Sequence, residues 1–118
     1  MEEIAPGFSD TEQYYQKALA IDIELNDKYS QAAIYRELGK LEKEQEQWQP
    51  AKDYFLKALS LYSEFNDAHY VGMTISNLAI VYQATNDDTL PTAVAEVLGI
   101  SVEEVLKKFE GFEQDLMD

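Results

Sequence analysis

The sequence predicts an all-α fold built as a stack of antiparallel helix pairs, and three observations carry that expectation. The chain repeats itself: KALAIDIELND (Lys17 to Asp27) returns forty residues later as KALSLYSEFND (Lys57 to Asp67), with six of the eleven positions identical. Apolar residues recur at three-and-four spacing, the signature of helices with one buried face, and nothing reads as strand. Start and stop signals for helices punctuate the chain at regular distances. A period of this size marks an array whose units bury their apolar faces only by stacking on each other.

Ser9 and Glu12 form a capping box that opens the first helix. Tyr14, Tyr15, Ala18, Leu19, Ile21, Ile23 and Leu25 then supply a broad apolar stripe. Asn26-Asp27 breaks that helix, and Asp27 can cap the next, in which Ala32, Tyr35, Leu38, Gly39 and Leu41 keep helical spacing. Pro50 suits the first turn of a third helix, where its missing N–H costs nothing. That helix carries Ala51, Tyr54, Phe55, Ala58, Leu59, Leu61 and Tyr62 and ends near Asn66-Asp67. A fourth, about 68–84, contains VGMTISNLAIVY and is apolar nearly all round, as a helix sandwiched between neighbours must be. After the turn Thr85-Asn86-Asp87-Asp88 comes a short helix, Pro91 to Leu98, stopped by Gly99. Ser101 and Glu104 form a second capping box, opening a helix through Phe109. As one domain, residues 1–8 read as a linker, 9–88 as repeat helices, 89–110 as degenerate capping helices and 111–118 as a frayed tail.

Composition narrows the function. A chain of 118 residues with 46% apolar content has material for one cored domain. Without cysteine there are no disulfides, thiolate metal sites or cysteine nucleophiles. No apolar run reaches the roughly 20 residues of a membrane span, and MEEIAPGF is unlike a signal peptide, so the default compartment is cytoplasmic. Nine basic against 23 acidic residues leave a net charge of −14. Such a polyanion is repelled by nucleic acid and anionic membranes and steers cationic partners.

The repeat resembles the tetratricopeptide repeat. Tyr35-x2-Leu38-Gly39 matches the first helix of that family's pattern, with Tyr in the Trp position, and Ala51-x3-Phe55 followed by Ala58 matches the second. In the next unit Ile75-x2-Leu78-Ala79-x2-Tyr82 matches the first helix again. Tyr35, Leu38, Gly39, Ala51, Phe55, Ala58, Leu78 and Tyr82 are therefore the expected packing residues: the small ones let helices approach and the large ones fill between. Glu42 stands where the family has Tyr, Ser63 where it has Pro, and the period is 40, not 34. Losing that Pro should let the second helix run about two turns longer. The resemblance implies a right-handed helical solenoid closed by a degenerate C-terminal hairpin. The 40-residue wording is similar to repeat arrays of large bacterial signalling proteins of the signal-transduction ATPase type. Opening on a second-helix sequence, the chain reads as a C-terminal piece of something longer.

By the same resemblance, first helices line a concave groove that holds peptide segments. The groove positions here are Ala33, Arg36, Lys40, Lys43 and Glu44, then Met73, Ser76, Asn77 and Ile80. Arg36, Lys40 and Lys43, three of the nine basic residues, could hold a carboxylate through charge-assisted hydrogen bonds, and Asn77 matches a position that clamps bound backbone. Against this stands the reading of Lys40–Glu44 and similar pairs as ordinary helix-surface ion pairs. Reversing Arg36 and Lys40 to Glu is expected to abolish binding and leave helicity intact.

Other constellations weigh less. Ala95, Gly99 and Val105 stand at helix-turn-helix spacing, but Glu103 and Glu104 would meet the phosphates, and 90–118 holds two lysines against seven acids. His69 is the only histidine and has no catalytic companions; Asn86-Asp87-Asp88 lacks the ligands of a calcium loop; Trp48 is expected at a helix junction. The expectation is a non-enzymatic protein-interaction module without cofactor or metal. Its partner is another protein or a segment of its own parent chain, not nucleic acid and not membrane. The excised domain is expected to self-associate through the N-terminal helix at Tyr15, Leu19, Ile23 or their neighbours. The alternatives are a passive cap or spacer at the end of an array and, below it, a DNA-binding regulator.

Overall fold

The computed structural model describes residues 8–117, with side chains from 10 to 111. Six helices follow one another: α1 (Phe8–Glu24), α2 (Lys28–Glu44), α3 (Trp48–Glu64), α4 (Ala68–Thr85), α5 (Thr89–Leu98) and α6 (Val102–Met117). Among the described residues there is no strand.

The turns explain the regularity. The backbone enters the left-handed region at Asn26, Glu46, Asn66 and Asn86, once every twenty residues, with φ between 54° and 59°. In the first three turns the same pair of hydrogen bonds closes the helix. Asp27, Gln47 and Asp67 N–H donate to the carbonyls of Asp22, Glu42 and Tyr62, and Asn26, Glu46 and Asn66 donate to Ile23, Lys43 and Ser63. That is the Schellman arrangement, which satisfies the last carbonyls of a helix and reverses the chain. The Asp27 and Asp67 carboxylates then accept from the Ser30 and Tyr70 amides, each at 3.1 Å, and start the next helix.

Two layers result. The even helices pack in series, α2 on α4 and α4 on α6, while α3 packs on α5 and Tyr54 of α3 accepts a hydrogen bond from Gln16 of α1. Each unit is an odd helix beside an even one, and the units stack: a helical solenoid of antiparallel pairs. The larger core lies between α3, α4, α5 and α6, around Phe55, Leu59, Leu78, Val81, Leu90, Val94, Val105 and Phe109. A smaller one, Ala32, Ala58 and Tyr62, joins α2 to α3. No residue of α1 from Asp10 onward is fully buried.

Leu38, Gly39, Ala51, Phe55, Ala58 and Leu78 are buried; Tyr35 and Tyr82 are half-buried against the two cores. A Cβ at Gly39 would sit 2.7 Å from the Phe55 ring, so α2 and α3 can approach this closely only over a glycine. Trp48 packs on the larger core, as a junction residue should. In α4, Thr74 is fully buried and gives its hydroxyl proton to the Tyr70 carbonyl at 2.7 Å, which lets a polar side chain sit inside the most apolar helix.

Three details differ from the sequence reading. The 40-residue unit is two equal halves of a 17-residue helix and a three-residue turn, so its extra length is not carried by the second helix alone. Helix α1 starts at Phe8, which puts Ser9 inside its first turn instead of at the cap; residues 1–7 lie outside the described residues. Helix α6 continues through Gly111 to Met117, past the expected helix end at Phe109. A glycine inside a helix costs only about 1 kcal/mol and does not stop it unless its backbone turns left-handed.

The C-terminal hairpin occupies the place of a further unit. Helix α5 has ten residues where α3 has seventeen, and it ends on Gly99 at φ 69°. Ser101 and Glu104 make the reciprocal capping box, with the Glu104 amide donating to Ser101 Oγ at 3.1 Å and the Ser101 amide to Glu104 Oε1 at 3.3 Å. A clamp ties the α4–α5 turn back to α3: Lys52 Nζ lies 2.9 Å from Asp87 Oδ2. Hydrogen bonds from Thr89, then from Lys52, pull the Asp87 carboxyl down to about 2.

Candidate functional site

Helices α2 and α4 present the residues expected to line a groove, and the structure joins several of them to each other. Arg36 and Lys43 lie two turns apart on α2 and face Tyr70 and Asn77, two turns apart on α4. The Arg36 guanidinium sits 4.8 Å from the centre of the Tyr70 ring. Lys43 Nζ donates to Asn77 Oδ1 at 2.7 Å. Two rungs therefore cross the seam between the even helices, one cation–π and one hydrogen-bonded.

Those rungs separate three residues that look alike in the sequence. The Arg36 side chain is only 14% exposed, packed among Tyr70, Tyr62 and Glu37. Lys43 is half-buried; burial, then the neighbouring Lys40, hold its ammonium below the usual lysine range. Lys40 keeps 41% exposure and is tied loosely, through Glu37 at 3.7 Å. Its observed ion pair is with Glu37 one turn earlier instead of Glu44. Arg36 is thus part of the fold, and reversing it to Glu would leave a carboxylate facing Glu37 and two tyrosines. With Arg36 this covered, a reversal of Arg36 and Lys40 to Glu tests packing as well as binding.

On α4, Met73 is 39% exposed and Ser76, Asn77 and Ile80 are half-buried. Ser76 and Asn77 also bond within their own helix, to the carbonyls of Gly72 and Met73. The amide of Asn77 is therefore engaged at both ends, by Lys43 and by Met73. Helix α6, read from the sequence only as a cap, extends the even layer. A small opening lined by Glu103, Leu106, Lys107 and Glu110 marks its open face.

Elsewhere, Ala95 and Val105 are buried and Gly99 turns left-handed, so the helix-turn-helix spacing serves hairpin packing, with Glu103 and Glu104 exposed at the start of α6. His69 is exposed beside the Tyr70 ring. Among the described residues, no three His, Asp or Glu side chains gather as a metal site, and no helix is long and apolar enough to cross a membrane.

Stacked antiparallel pairs, small residues at their crossings and an open face on every second helix define a helical-repeat scaffold. Residues 8–64 match the family model for the tetratricopeptide repeat. Comparison with curated proteins and with solved structures finds no match. Tetratricopeptide repeats are in general protein–protein interaction modules and are typically non-catalytic.

Proposed function

We propose that the domain binds a segment of another protein, or of a longer chain that carries it, along the face formed by α2 and α4. It would do so as part of a larger bacterial signalling or scaffold protein in the cytoplasm, without catalysis, cofactor or nucleic acid. The observation that carries this reading is Lys40. In a chain of net charge −14 it keeps an exposed ammonium on the open face, while Arg36 and Lys43 beside it are held by Tyr70 and Asn77. Lys40 is then the direct anchor for a ligand carboxylate, Lys43 and Asn77 form a floor that opens to it, Met73, Ser76 and Ile80 supply contact, and Arg36 holds the two helices in register.

The test is capture from a lysate of the source cells on immobilised domain, comparing wild type with Lys40→Glu and with Asp53→Lys on α3. Asp53 is exposed and belongs to the other layer. A partner lost with Lys40→Glu alone supports the groove. Equal retention on all three removes Lys40 as an anchor.

A second reading, a passive cap or spacer, is favoured by the rungs themselves: Arg36 and Lys43 already have internal partners. Self-association through α1 also has support. The exposed apolar residues there are Tyr14, Ile21, Ile23 and Leu25, while Tyr15 and Leu19 are half-buried.

A further inference from the structure

Between α4 and α6 lies a cavity of about 440 Å³ that the reading above does not use. Gln83, on its rim, stands forty residues after Lys43, so the cavity falls at the same level of the even layer as the Lys43–Asn77 rung. The α4–α6 seam holds this cavity at the level where the α2–α4 seam carries its Lys43–Asn77 hydrogen bond.

Its lining has a definite chemistry. Tyr82 forms an aromatic wall backed by the buried Phe109, their ring centres 5.4 Å apart, and Leu106 extends it. Glu110 stands exposed at the rim with Gln83 and Asn86. Asn86 caps the C-terminus of α4, where the summed peptide dipoles leave partial negative charge. An apolar aromatic wall, a carboxylate and a helix C-terminus converge on one requirement, a cation carried on a flat or apolar stem. Guanidinium meets it best: it stacks on rings and bonds carboxylates in a fork. Lys107 lies between Glu103 and Glu110 on this face of α6, leaving one net negative charge there. The field of the whole chain favours the same sign.

We propose that the α4–α6 cavity is a subsite for an arginine side chain of the bound protein segment. This deepens the groove reading and rests on it for the identity of the ligand as protein. It also sets the ligand's charge pattern. Two helix-to-helix steps of roughly 8–10 Å separate the α2 and α6 axes, and an extended chain rises about 3.3 Å per residue. The cavity lies midway through the second step, so an acidic residue at Lys40 and an arginine in the cavity are roughly four residues apart in the ligand.

The test is an NMR titration of the ¹⁵N-labelled domain with acetyl-arginine amide, with acetyl-leucine amide and acetyl-glutamate amide as comparisons. The expected result is a saturable shift of the Asn86 and Glu110 amides with the arginine probe alone, weakened roughly tenfold by Glu110→Lys through loss of one charge-assisted pair. Glu110 is exposed, and the unchanged remainder of the spectrum verifies the fold of that variant. No saturable shift, or an equal response to leucine, overturns the proposal. Because the probe is a single residue, its result is independent of Lys40. A saturable arginine response in a domain whose Lys40 variant captures normally keeps the subsite and removes the anchor. The reverse result removes the subsite alone.

Discussion

A single missing carbon sets how closely α2 and α3 approach. At Gly39 an added Cβ would meet three atoms of the Phe55 ring at 2.7 to 3.0 Å, and Phe55 is fully buried, so the ring has nowhere to go. Alanine gains about 1 kcal/mol of helix propensity over glycine, but overpacking a filled core costs about 1–3 kcal/mol. The clash decides the sign. Gly39→Ala is expected to lower stability by up to about 2 kcal/mol in urea unfolding followed by helical CD, with part of that loss recovered when Phe55→Leu is added to it. A midpoint that stays or rises would mean the helices can part at this crossing. This contact was legible in the sequence, because a small residue opposite a large one at helical spacing has few other uses. The role of Arg36 was not. Its charge and spacing put it on the open face, and its cover comes from Tyr62 and Tyr70, on two later helices.

One turn departs from the pattern of its neighbours. The left-handed residue and the cap that follows it read Asn-Asp at 26–27 and 66–67, but Glu-Gln at 46–47. Asparagine tolerates that backbone better than glutamate, and Gln47 makes no side-chain cap to α3 where Asp27 and Asp67 cap α2 and α4. Replacing Glu46-Gln47 by Asn-Asp is expected to raise stability by about 1 kcal/mol, most of it from the new cap, read as a higher thermal midpoint by calorimetry. An unchanged midpoint would show that the α2–α3 turn is held by packing alone. The Asn-Asp turns were readable in advance because those residues have a specific backbone use. Glu-Gln has none: Pro50 marks the start of α3 in the sequence, but the left-handed residue of the α2–α3 turn becomes visible only when its φ is seen at the same twenty-residue interval. Gly111 is the opposite case: glycine looks like a stop, yet only its dihedral decides, and α6 passes through it. The α4–α6 cavity depends on that helix and on the Asn86 turn together, so it had no signature in either segment.

The solenoid is uneven along its axis. The C-terminal units share the larger core, while α1 has no fully buried residue from Asp10 onward and leaves Tyr14 and Ile21 exposed, in one stripe with Leu25 just past its end. Forty residues later the equivalents of Tyr14 and Ile21 are covered: Tyr54 stacks on Tyr35, and Leu61 packs on the smaller core. The stripe on α1 is thus a face of the kind α2 covers on α3. Burying such a side chain contributes roughly 1.5–3 kcal/mol, against an association cost of roughly 4–15 kcal/mol, so Tyr14 and Ile21 from each of two copies support a weak dimer. Charge opposes it, because each copy carries −14, and salt screens that repulsion. Sedimentation velocity is therefore expected to show self-association that strengthens between about 0.05 and 0.5 M salt and disappears in Ile21→Glu without loss of helical CD. Arginine binding in the α4–α6 cavity should run the other way and weaken over the same range, so the two interactions separate in one salt series. A wild-type monomer at every salt concentration would show that the stripe is not self-complementary, and that covering it takes a helix shaped like α2.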